Sequence, residues 1–156
     1  MNKFIALTVA LLASGVLHAT DSERFIAKVK LPSGQTAVVA EGDYEARSIG
    51  SFSVRLYDTA TPGDETTFFS AGQVRARDGT VEKVVLADVI GDQQPEIVVI
   101  VRSAGTGGFL SAHAFAFDKK RLIFRAAVKD LPPDADPIAA LRKSVARNST
   151  MRHLRR

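Results

Sequence analysis

The apolar residues of this chain recur at every second position. In "RFIAKVKL", Phe25, Ala27, Val29 and Leu31 share one face. In "FSVRLY", Phe52, Val54 and Leu56 alternate with Ser53, Arg55 and Tyr57. A period of two puts successive side chains on opposite sides of an extended backbone, the pattern of a half-buried antiparallel strand. Turn residues separate the runs, at Pro32–Gln35, Pro62–Glu65, Arg77–Thr80 and Asp118–Arg121. Asp78-Gly79 reads as the strongest hairpin turn, because the left-handed conformations that join twisted strands favour that dipeptide. The runs predict about eight strands, near residues 24–31, 35–41, 50–58, 66–76, 81–88, 96–103, 109–118 and 121–128. Many short strands with short connections indicate an all-β fold, an antiparallel β-sandwich or barrel.

The two ends depart from this pattern. Lys3 precedes the apolar or small run Phe4 to Leu17, and Ala19 precedes the polar "TDSE". This is the layout of a secretory signal peptide over residues 1–19, too short for the roughly 20 residues of a membrane span. The expected mature protein is exported, to an envelope compartment such as the periplasm or outside the cell, with no stable membrane insertion. It has no cysteine, so packing and hydrogen bonds must hold it without disulfides. At the other end, Asp136 can cap a helix whose first residue is Pro137. Ile138, Leu141 and Val145 then share a face, and "NSTMRHLRR" reads as a frayed end. Residues 20–140 form the β-domain and carry fourteen Lys/Arg against seventeen Asp/Glu, whereas residues 141–156 carry six basic residues and no acid. A mildly acidic body excludes a nucleic-acid-binding surface spread over the domain. The basic end reads as a solvated tail or as an attachment to anionic envelope polymers.

Catalytic motifs are missing from the sequence. It has no nucleophile elbow, no paired-histidine zinc helix and no phosphate-binding loop. An enzyme would have to use His113 with Asp118, five residues apart on one strand and so on opposite faces. No cofactor is expected. In "ADVIGDQQPEIVVI", Asp88, Asp92 and Glu96 recur every four residues around Gly91, a pattern that suits calcium. Ile90 and Gln93 fall where such a loop needs an oxygen and a glycine, so the alternative is a turn whose aspartates cap backbone N–H groups. An envelope calcium-binding or structural module is the alternative function.

The remaining feature is "VRSAGTGGFLSAHAF". Two strands meet at Gly105-Thr106-Gly107-Gly108-Phe109, with three glycines where a plain hairpin needs one or two. Either several residues there take positive φ, or another surface comes close to the backbone. At these residues the chain resembles the periplasmic inhibitors of invertebrate-type lysozyme. The resemblance covers most of the mature chain: Ser48 to Asp58, Thr66 to Asp92, Pro95 to Phe115, and the Asp-Pro and Ala-Ala-Leu residues of 136–141. It implies an all-β inhibitor of lysozyme, with no enzymatic activity, whose Ser-Gly-x-Tyr loop enters the enzyme's active-site cleft. Thr106 stands where the family has serine, Gly107 matches, Gly108 is the variable position, and Phe109 stands where the family has tyrosine. The implied contact residues are Thr106, Gly107, Gly108 and Phe109, supported by Arg102, Ser103 and Ser111. Arg102 could instead pair with an acid of the sheet. Lysozymes work through two carboxyl groups beside the scissile bond, and a loop rich in N–H donors can bind them without being cut. The phenol missing at Phe109 removes one hydrogen bond to charge, worth roughly 1–3 kcal/mol, or about tenfold to a hundredfold in affinity. A homodimer is among the assemblies open to such a domain.

Overall fold

The computed structural model describes residues 24–153, with side chains to residue 149. The expected signal segment, residues 1–19, lies outside the described residues, as do the last three residues. Eight strands run in order: β1 (Ile26–Lys30), β2 (Thr36–Glu41), β3 (Ile49–Tyr57), β4 (Phe69–Asp78), β5 (Thr80–Ala87), β6 (Glu96–Arg102), β7 (Leu110–Asp118) and β8 (Arg121–Leu131). They form two four-stranded sheets, β1-β2-β3-β4 and β5-β6-β7-β8, each an antiparallel meander. One helix, α1 (Pro137–His153), follows.

Two apolar layers hold these elements. Between the sheets lie Val39, Phe52, Val54 and Leu56 from one side and Ile97, Val99, Val101 and Phe115 from the other. These are the alternate residues that the period of two selects. The opposite face of the second sheet, with Val98, Ile100, Ala112 and Ala114, is covered by α1 through Leu141, Ile138 and Val145. That explains why β6 is apolar on both faces. The small alanines of β7 leave room for the helix.

The structure corrects three expectations. Asp78-Gly79 does not make a hairpin: β4 and β5 lie in different sheets, and Gly79, at φ +108°, turns the corner between them. A side chain at Gly79 would fall on the Arg102 carbonyl. The segment 62–68 forms turns, so β4 begins at Phe69, and β8 continues three residues past the expected 128. The helix also runs through most of the residues expected to fray. Asp136 caps it as expected, accepting hydrogen bonds from the N–H groups of Ile138 at 2.9 Å and Ala139 at 3.2 Å.

The corner at Gly79 is fixed by a buried ion pair. The Arg77 guanidinium, fully buried, lies 3.9 Å from the Glu41 carboxylate. It donates to the carbonyls of Ser51, Arg47, Ala46 and Gly79. Glu41 in turn accepts the Val81 N–H at 2.7 Å. These bonds join the first sheet to the start of the second, directly beneath the loop between β6 and β7.

Candidate functional site

The last paired residues of β6 and β7 are Arg102 and Leu110, and everything between them projects beyond the sheet. Its neck is closed by the Ser103 N–H, which donates to the Phe109 carbonyl at 2.8 Å. Its tip is a tight turn, with the Gly108 N–H donating to the Gly105 carbonyl at 3.1 Å. Gly108 has φ +56°, a left-handed conformation costly to other residues. So one glycine serves the turn. Gly107 serves the neighbouring side chain: a Cβ there would overlap the Phe109 ring, which lies against the bare glycine. Gly105 has open space around it.

The loop is tied down from below. Arg102 donates from Nη1 to the Gly108 carbonyl at 2.9 Å, and its Nε pairs with the Glu82 carboxylate. Arg102 therefore both pairs with an acid of the sheet and bonds the loop. Glu82 reaches it because the β5–β6 register shifts between Val81 and Lys83, leaving Glu82 as the extra residue of a bulge. Sequence reasoning missed Glu82, since a bulge leaves no mark on the apolar pattern.

Above this base, Ala104, Gly105, Thr106 and Gly107 are exposed, and Phe109 is 47% exposed. Among the described residues, the N–H groups of residues 104–107 and the Thr106 hydroxyl have no acceptor within the chain. Several unspent donors beside a half-exposed ring make a tip suited to a carboxylate-lined, narrow surface.

Behind the loop lies a cavity of about 220 Å³, lined in part by Ile49, Ser103, Phe109, Ser111, His113 and Asp130. Ser103 Oγ and His113 Nδ1 are buried without a hydrogen-bond partner. His113 sits against the rings of Phe52 at 5.2 Å and Phe124 at 6.5 Å. Burial, with the Arg75 and Lys129 charges adding to it, pushes its pKa down to about 4. It is a neutral core histidine. Asp118 is apart from it, exposed and paired with Arg121 at 2.8 Å, so the two do not form an acid–base couple.

Asp88 and Asp92 lie in the turn before β6 and Glu96 opens that strand, all three with side-chain oxygens bound to backbone. Asp88 accepts from Gly91 and Gln93, Asp92 from Gln94, and Glu96 from Val89. Burial, followed by the neighbouring aspartates, raises the Glu96 pKa although the Val89 N–H opposes it. Among the described residues no three metal-ligating side chains gather into a site.

Comparison with known proteins identifies the family. The sequence model of the family described as "Periplasmic lysozyme inhibitor of I-type lysozyme" matches residues 23–145. The crystal structure of the Aeromonas hydrophila inhibitor of that name is similar at 43% identity and a TM-score of 0.71, covering 75% of this chain and 98% of its own. A second structure, of the A. hydrophila inhibitor in complex with Meretrix lusoria lysozyme, has 43% identity and a TM-score of 0.70, covering 76% of this chain and 95% of its own. No curated protein matches the sequence significantly.

Proposed function

The chain belongs to the periplasmic lysozyme inhibitors of I-type lysozyme, and from that premise we propose that it blocks an invertebrate-type lysozyme by placing the Ser103–Ser111 loop in the enzyme's active-site cleft. It acts as a binding protein, with no chemistry of its own. The observation that carries the loop assignment is the tip itself: unspent N–H groups at residues 104–107 and a free Thr106 hydroxyl, next to the exposed face of Phe109. Such donors satisfy the two carboxyl groups of a glycosidase. Phe109 supplies a flat apolar face for the cleft wall. Arg102 and Ser103 bond the loop at its base, with Ser111 next to it in β7, so little flexibility is lost on binding.

The family is described as periplasmic, which supports a periplasmic location for this chain. The apolar run Phe4 to Leu17 supports export by a signal peptide cleaved after Ala19, and the family match starts just beyond it, at residue 23. Mass analysis of protein from the periplasm should find a mature chain beginning at Thr20.

Inhibition assays against an I-type lysozyme test the loop. The wild type inhibits, and Phe109→Tyr lowers the inhibition constant about tenfold to a hundredfold by restoring a hydrogen bond to charge. Phe109→Ala raises it by at least as much. Equal inhibition by all three proteins would show that the contact lies elsewhere on the domain.

A further inference from the structure

The buried polar atoms without partners sort into two places. Ser103 and His113 flank the cavity at the loop. The other two, Arg24 Nη1 and Arg55 Nε, belong to residues that line a groove of about 850 Å³ on the outer face of the first sheet. This groove shares no lining residue with the loop cavity.

Arg24 Nη1 and Arg55 Nε face one groove, each buried without an acceptor among the described residues, although Arg24 also donates from Nη2 to the Glu45 carbonyl and, after the Ser51 hydrogen bonds and the Arg77 charge, lowers the Glu45 carboxyl pKa. A buried donor without an acceptor destabilises the fold, and a charged one more so. Among the described residues, two of the three neighbouring acids are engaged elsewhere. Glu41 turns inward to Arg77 and Val81. Glu45 gives its carboxylate to Ser51 and to Arg77 at 3.8 Å, and its backbone carbonyl to Arg24, whose charge also acts on that carboxylate. Asp43 stands exposed at the rim. The other walls suit a compact organic body: the apolar surfaces of Phe25, Ile26 and Ala40, the Ser53 hydroxyl, and the fully exposed ring of Tyr44. Tyr44 has φ +61°, a conformation uncommon outside glycine, asparagine and aspartate.

We propose that this groove binds a small oxyanion, a carboxylate or a phosphate, carried on a body of sugar size. Arg24 and Arg55 together offer the N–H groups that a planar or tetrahedral oxyanion accepts. Tyr44 offers a face for the apolar side of a sugar ring. The site stands apart from lysozyme inhibition and does not depend on it.

Thermal melting of the mature chain at fixed ionic strength tests the proposal. The probes are N-acetylmuramic acid, which carries a carboxylate, N-acetylglucosamine, which lacks it, and inorganic phosphate. Ligand binding to the folded state raises the midpoint, here by roughly 2–5 °C at saturation. A rise with N-acetylmuramic acid but not N-acetylglucosamine identifies the carboxylate source, and a rise with phosphate alone identifies the phosphoryl source. In both cases Arg55→Gln and Arg24→Gln must abolish the rise and leave lysozyme inhibition unchanged. Should a variant fold poorly, amide spectra of the wild type decide: residues 40–44 and 53–55 shift with the ligand, and residues 103–109 do not. No rise with either anion, an equal rise with N-acetylglucosamine, or a rise that survives both substitutions would overturn the proposal.

Discussion

At the scale of single residues, two of the loop's three glycines have distinct jobs and the third has none in the structure. Gly108 holds a left-handed turn, Gly107 leaves space for a ring, and Gly105 meets nothing within contact distance. The two neighbours of Thr106 therefore separate fold from function. Gly107→Ala has no positive φ to oppose it, so the melting temperature should change little, but the displaced Phe109 ring should weaken inhibition about tenfold or more. Gly105→Ala should leave inhibition within about twofold and stabilise the chain slightly through the unfolded state. Equal effects at both positions would show that glycine is needed at the tip for flexibility alone. His113 gives a pH prediction. Its pKa falls from 6.5 to about 4 on folding, so between those values the unfolded chain holds more protons than the folded one. Stability should therefore drop as pH falls from 6.5 towards 4, by at most about 3 kcal/mol, and show no further loss from this group below 4. Urea titrations of the wild type and His113→Phe across this range should differ in slope, the variant losing that component.

At the scale of elements, the Gly79 corner depends on a buried charge pair. Arg77 donates to four carbonyls and faces Glu41, which holds the Val81 N–H. Arg77→Ala would leave Glu41 buried without its partner charge and should cost about 3–5 kcal/mol, measured as a shift in the urea midpoint. A loss below about 1 kcal/mol would show that water replaces the guanidinium. This network also marks the limit of what the sequence could reveal. Every strand was legible, because most bury one face and alternate, while β6, buried on both faces, is a continuous apolar run. The sheet to which a strand belongs was not, because Asp-Gly looks the same at a hairpin and at a corner. The partners that distinguish them, Glu41 and Arg77, lie 36 positions apart in the chain. The helix was legible at its start, where Asp136 and Pro137 carry local signals. Its end was not: Asn148, Ser149 and Thr150 are poor helix formers, yet the helix continues through them, with the Ser149 hydroxyl donating to the Ala146 carbonyl at 2.8 Å. At the candidate site, the glycine run announced the loop. The support from Glu82 and the cavity beside His113 come from residues distant in sequence and left no local trace.

At the scale of the whole molecule, the layers put unlike surfaces in different places. The loop grows from one end of the second sheet, and α1 covers that sheet's outer face, carrying Lys143 and Arg147 exposed to solvent. If the loop makes the contact, the helix acts on a lysozyme only through its long-range field. Such a field changes the rate of encounter and its salt dependence, while the bound contacts set the rate of escape. The double variant Lys143→Glu, Arg147→Glu lowers the net charge by four without touching the apolar face of Leu141. Against a cationic lysozyme its association rate at low salt should rise several-fold above wild type. The two rates should converge as added salt shortens the screening length to a few ångströms, and dissociation should be the same for both proteins. A dissociation rate that changes with these two residues would place the helix inside the interface and require a footprint much wider than the loop.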